Sequence, residues 1–117
     1  MELTVEQLWP RVEKGVALLH EKRPGWYRRV DVGTLDLRSC PYCVLGQLGG
    51  GYRVLSGYKN PYRTAIAELG ISGPEYGFSL DDEDSKSSRN WGTLTRLWAG
   101  EIAACLAADR EADLVPA

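Results

Sequence analysis

From Asn90 to Leu106 the chain reads NWGTLTRLWAGEIAACL. Trp91, Leu94, Trp98, Ile102 and Cys105 recur at steps of three and four, which puts them on one face of an α-helix, and Leu97 and Leu106 widen that face. The helix is expected to start near Ser88 or Asn90, with residues 111–117 fraying as a tail. A matching stripe lies at the other end of the chain: Val5, Leu8, Trp9, Val12, Val16 and Leu19. Thr4 and Gln7 have the spacing of a capping box at its start. Pro10 either kinks the first turns or marks the true beginning, and Pro24-Gly25 ends the element. Two long helices, each apolar on one side, need each other for burial. They predict a mainly α fold in one domain spanning residues 1–117, with short central helices and at most a minor extended segment.

Val30 and Val32 alternate with polar residues, as do Leu35 and Leu37, so 26–37 reads as a short strand or an extended connector. Ser39 is a good N-cap for a short helix through Cys43, Val44, Leu45 and Leu48 that the glycines 49–51 would stop. Asn60-Pro61 opens a further short helix, with Ala65, Ile66 and Leu69 carrying its apolar face to Gly70. Residues 72–88 form a long surface connection that Phe78 and Leu80 anchor to the core.

With 117 residues, 44% of them hydrophobic and 26% charged, the chain can bury a core of ordinary size and is not a disordered segment. No apolar run is long enough for a membrane span, and Glu2 to Gln7 lack the basic start of a signal peptide. Three Cys do not make a secreted disulfide framework. The expected location is therefore the cytoplasm. The net charge of −2 conceals an asymmetry: residues 22–63 carry eight basic side chains against two acidic ones, and residues 64–117 carry four against ten. Either the two parts attract within one fold, or the basic part offers a face to an anionic partner.

Cys40-Pro41-Tyr42-Cys43 matches the active tetrapeptide of glutaredoxins, and a helix start would favour thiolate at Cys40. No buried strand runs into the motif, however, and no downstream Thr-Val-Pro segment accompanies it. A zinc site would need four ligands, and Cys40, Cys43, Cys105 and His20 are the supply, without a second closely spaced pair. The plainer alternative is that Cys40 and Cys43 pack as small core residues and Cys105 does the same on its apolar stripe. The glycines 46–51 lack the Lys-Ser/Thr of a phosphate loop. The acidic run Asp81, Asp82, Glu83, Asp84 lacks the Gly and Glu of a calcium loop, where Lys86 and Gly92 stand instead. One His gives catalysis a single base, and nothing in the sequence sets a nucleophile beside it. No catalytic residue and no cofactor are assigned.

The basic middle is the better lead. Arg28, Arg29, Tyr52, Arg53, Tyr58, Lys59, Tyr62 and Arg63 interleave aromatic rings with cations, a composition that suits a protein partner and also the stacking and phosphate contacts of a nucleic-acid binder. The pI of about 5.4 favours the protein partner; a homodimer is a third arrangement open to an exposed aromatic cluster. Taken together, Pro24-Gly25-Trp26, Leu35-Asp36-Leu37 with Ser39-Cys40 and Cys43-Val44-Leu45-Gly46-Gln47-Leu48, Tyr76-Gly77-Phe78 and Trp91 with Leu94-Thr95 and Trp98 resemble a group of small proteins of actinobacterial phages and prophages, the central Cys-x-x-Cys-Val-Leu-Gly-Gln-Leu being the most specific part. The resemblance implies a phage or prophage origin and an accessory role in a bacterial cytoplasm. The expectation is a non-enzymatic module that binds a host protein, with nucleic-acid binding and a small zinc or thiol-redox protein as alternatives.

Overall fold

The computed structural model describes residues 2–39, 42–48 and 61–114. Expectations for Cys40, the glycines 49–51, Tyr52, Arg53, Tyr58, Lys59 and Asn60 lie outside the described residues. The described chain is helical, in the order α1 (Val5–Lys22), a 3-10 turn (Trp26–Arg29), α2 (Val44–Leu48), α3 (Pro61–Leu69), a second 3-10 turn (Asp84–Lys86) and α4 (Ser88–Leu114). No strand is found among the described residues, so Val30 to Leu37 is a succession of turns rather than a pairing segment.

Both bonds of the capping box at Thr4 and Gln7 form, which satisfies two of the N–H groups that a helix start leaves open. Pro10 lies inside α1, and the helix runs through it. Leu8, Val12, Val16 and Leu19 are buried, whereas Val5 is 53% exposed and sits off the core face that its spacing suggested. From α4, Leu94, Trp98 and Ile102 close the seam against α1. The helix continues through 111–114, four residues into the stretch expected to fray.

The connection between α3 and α4 is clamped across α1 by close backbone approach. A β-carbon at Gly15 would collide with the carbonyl oxygen of Tyr76, so only glycine leaves room for that strand of chain to cross. Gly77 has φ +73°, and a β-carbon there would lie 2.9 Å from the Arg11 carbonyl carbon. Its own carbonyl accepts a hydrogen bond from the buried Trp98 indole N–H at 2.7 Å. Phe78 stacks on Trp98 with centroids 5.2 Å apart, and Trp26 meets the same ring edge-on at 5.7 Å. Aromatic pairs in these geometries add about 0.5–1.5 kcal/mol each beyond their area. Phe78 and Leu80 are thus the anchors of the 72–88 connection, as expected from the sequence.

Asn90 is the one fully buried polar side chain among the described residues. Its Oδ1 accepts from the Leu3 N–H at 2.7 Å and its Nδ2 donates to the Asp84 carbonyl at 3.0 Å, so it ties the chain start and the second 3-10 turn to α4. Ser87 Oγ accepts from the Asn90 N–H at 3.4 Å and caps α4. Among the described residues, no helix is long and apolar enough to cross a membrane.

Candidate functional site

The densest polar constellation sits where the end of α1, the Trp26–Arg29 turn and the far end of α4 meet. Arg23 closes α1 with its N–H on the Leu19 carbonyl, and Gly25 at φ +75° swings the chain into the turn. That reversal buries Trp26 completely, and its indole N–H donates to His20 Nδ1 at 3.3 Å. Because Nδ1 accepts, the neutral imidazole carries its proton on Nε2, which faces Cys105 Sγ at 4.0 Å. One residue on, the Tyr27 hydroxyl reaches both oxygens of Asp109 at 2.8 and 2.9 Å. Arg28 places Nε and Nη2 on Asp109 Oδ2 at 2.8 and 2.6 Å, with its guanidinium 5.7 Å from the Tyr27 ring centroid.

These contacts set the electrostatics. The hydrogen bond from Tyr27, and after it Arg28, holds the Asp109 carboxyl below the usual carboxylate range. The same hydrogen bond raises the Tyr27 phenol. Burial pushes the Cys105 thiol up, and the carboxylates of Glu101 and Asp109 push it further. A nucleophilic cysteine needs the reverse: a stabilised thiolate and a base able to take its proton. Here the thiol is held protonated, and the imidazole nitrogen facing it offers a proton instead of a lone pair. The arrangement packs; it does not activate.

The zinc alternative divides in the same way. His20 and Cys105 are brought together, whereas Cys43 is 1% exposed and disulfide-bonded, which removes it from the ligand set, and Cys40 is outside the described residues. Among the described residues no group of three or more His, Cys, Asp or Glu is placed to hold a metal ion. Cys43 has a further structural task. Its sulfur accepts the Gly46 N–H at 3.2 Å and its carbonyl accepts the Gln47 N–H at 2.9 Å, so α2 starts from Cys43. Ser39, expected to be the cap, instead closes a turn by accepting the Tyr42 N–H at 2.7 Å.

Beside the corner, the chain from Asp31 to Leu35 forms an exposed turn with a fixed shape. Gln47 of α2 holds its base: Oε1 accepts the Asp31 N–H at 2.6 Å, and Nε2 donates to the Asp31 carbonyl at 3.2 Å and the Tyr42 carbonyl at 2.9 Å. Asp31 Oδ1 accepts the Gly33 N–H at 2.9 Å, and the Leu35 N–H returns to the Val32 carbonyl at 3.3 Å. Val30 and Leu35 point into the core, while Val32 stands 40% exposed at the tip. Arg29 precedes the turn, exposed and free of hydrogen bonds or ion pairs to the described residues.

The described members of the basic, tyrosine-rich set are thus separated. Arg28 is engaged by Asp109. The half-buried Tyr62 donates its hydroxyl to Ser79 Oγ at 2.7 Å. Arg29 and Arg63 are exposed. Ion pairs join the basic part of the chain to the acidic part, among them Arg28–Asp109 at 2.6 Å and Arg23–Glu68 at 3.5 Å, so some of the charge asymmetry is used within the fold. Asp109 and Gln47 escaped the sequence reading. The signal for Asp109 was its position: it continues the stripe of Ile102 and Cys105 at helical spacing, where a carboxylate calls for a partner. No protein-family model, curated protein or solved structure matches the chain.

Proposed function

We propose that the chain is a non-enzymatic accessory module of phage type that binds a bacterial host protein. The observation that carries this reading is the pinned turn. Gln47 spends its whole side chain on holding a short loop whose tip displays an exposed valine, with an exposed arginine at its base. A pre-ordered loop binds without the ordering cost of a flexible one, and an apolar tip beside a cation suits a protein surface. Two of the described tyrosines support the same choice over nucleic acid. Tyr27 and Tyr62 are half-buried with their hydroxyls engaged, which leaves little ring face for stacked bases. The corner at Cys105 supports a non-catalytic role, because its thiol is held protonated.

The test is a comparison of wild type with Val32→Asp. A host protein recovered from bacterial lysate is purified, and its affinity for both forms is measured. The expected result is a loss of about tenfold or more in affinity for the variant, with unchanged thermal stability. Recovery of nucleic acid alone, with affinity that falls steeply with salt, would overturn the reading in favour of a nucleic-acid binder. Equal binding of both forms would remove the turn from the docking surface.

A further inference from the structure

The apolar stripe of α1 divides at its first turns. Leu8, Val12, Val16 and Leu19 are buried, but Val5 is exposed, and Trp9, one turn on, is half-buried and does not pack on the core. The other tryptophans all do. Trp26 and Trp98 lie inside the core, and Trp91 packs against it with its indole N–H on the Ser85 carbonyl at 2.9 Å. The Trp9 indole N–H has no acceptor among the described residues. Val5 and Trp9 stand four apart, so their side chains are neighbours on the helix surface. Glu6, three before Trp9, and Glu13, four after it, line the side of that strip away from the core. Both are exposed, and neither is in an ion pair with the described residues. The cations of α1 fall on its other flank by helical spacing, where Lys14 is held by Glu75 at 2.9 Å and lies over the Tyr76 ring.

We infer that Val5 and Trp9, rimmed by Glu6 and Glu13, form a docking strip for a basic amphipathic segment of a protein partner, a surface that does not depend on the 31–35 turn. An apolar centre with a charged rim is the usual anatomy of a protein interface, and Trp is among the residues whose truncation most often costs binding. The sign of the rim selects the occupant. Carboxylates repel phosphate, which disfavours both a nucleic-acid backbone and an anionic lipid surface. They attract the Lys or Arg side chains that flank the apolar face of an incoming segment. The strip is also preformed. The capping box of Thr4 and Gln7 fixes the turn that carries Val5 and Glu6, and the buried Leu8 and Val12 hold the turn that carries Trp9, so docking costs little in ordering. The Trp9 N–H, unused by the described fold, offers the partner a donor at the edge of the apolar contact.

The experiment titrates the full chain with a synthetic helical peptide of leucine and lysine, apolar on one face and basic on the other, and follows backbone amide NMR shifts. The expected shifts centre on residues 5–13, with an affinity that falls as salt rises from about 50 to about 300 mM. Glu6→Gln together with Glu13→Gln should weaken binding about tenfold and flatten its salt dependence. Both positions are exposed, so this pair tests the strip even if a substitution at Trp9 disturbs folding. Trp9→Ala should weaken binding by about tenfold or more. A peptide of leucine and glutamate in the same pattern should leave residues 5–13 unmoved. Shifts centred on the acidic run 81–84, or equal affinity for wild type and the doubly substituted chain, overturn the strip as a site for a basic segment. Self-association of the chain that Trp9→Ala abolishes assigns the strip to a second copy and overturns the separate partner.

Discussion

The two halves of α4 are held by different physics. From Asn90 to Ile102 the helix is fastened by buried area: Leu94, Trp98 and Ile102 lie fully inside, Phe78 and Trp26 close around Trp98, and Gly15 and Gly77 let the 72–88 connection press against α1. From 103 onward nothing described is buried, and a phenol, a guanidinium and an imidazole do the fastening. The first kind of contact is non-directional and indifferent to pH, because apolar burial has no titrating group. The second is directional, and its ion pair needs Asp109 as a carboxylate. One continuous helix of 27 residues, about 40 Å long, therefore spans a half fastened by burial and a half fastened largely by polar contacts.

Three variants would break or sharpen that contrast. Trp98→Ala should have the largest effect, about 3–5 kcal/mol of global stability in denaturant unfolding, since it empties the centre of the seam and removes the donor to the Gly77 carbonyl. A loss under 1 kcal/mol would mean that the seam is not the main source of stability. Asn90→Ala should cost less, about 1–3 kcal/mol, because it strips partners from the Leu3 N–H and the Asp84 carbonyl without opening so large a cavity. Asp109→Asn should barely move the global midpoint. It should instead lower exchange protection in 103–112 and remove part of the pH dependence of stability. The carboxyl of Asp109 is depressed in the fold, so its contribution is present above the ordinary carboxylate range and is lost as pH falls through the depressed value. An unfolding curve whose low-pH decline is the same in Asp109→Asn as in wild type would contradict the division.

Much of the first half was legible before the structure. The stripes of α1 and α4, the capping box, the stop at Gly70 and the anchoring by Phe78 and Leu80 are local or periodic features, and each was recovered close to where the spacing put it. The second half was hardly legible. The sequence shows Arg28 as a cation beside a tyrosine, a reading that made it a surface contact; its partner Asp109 is 81 residues away. Val32 alternates with Val30 as a strand residue would, yet Gln47 bends the chain there into a turn that buries one valine and exposes the other. Ser39 has the composition of a cap, and Cys43 has the position of one.

By itself, the sequence determined that this chain folds as a mainly α domain on two long helices, because the energetics of burying an apolar stripe repeat every three or four residues and can be read from spacing alone. Tertiary structure alone decided that Cys105, its thiol pushed up by burial, lies beside His20, that Arg28 belongs to Asp109, and that Gln47 sets the turn bearing Val32. Polar pairings of this kind have no period. They depend on which groups the packed helices bring within about 3 Å of each other, and that distance is a property of the assembled fold.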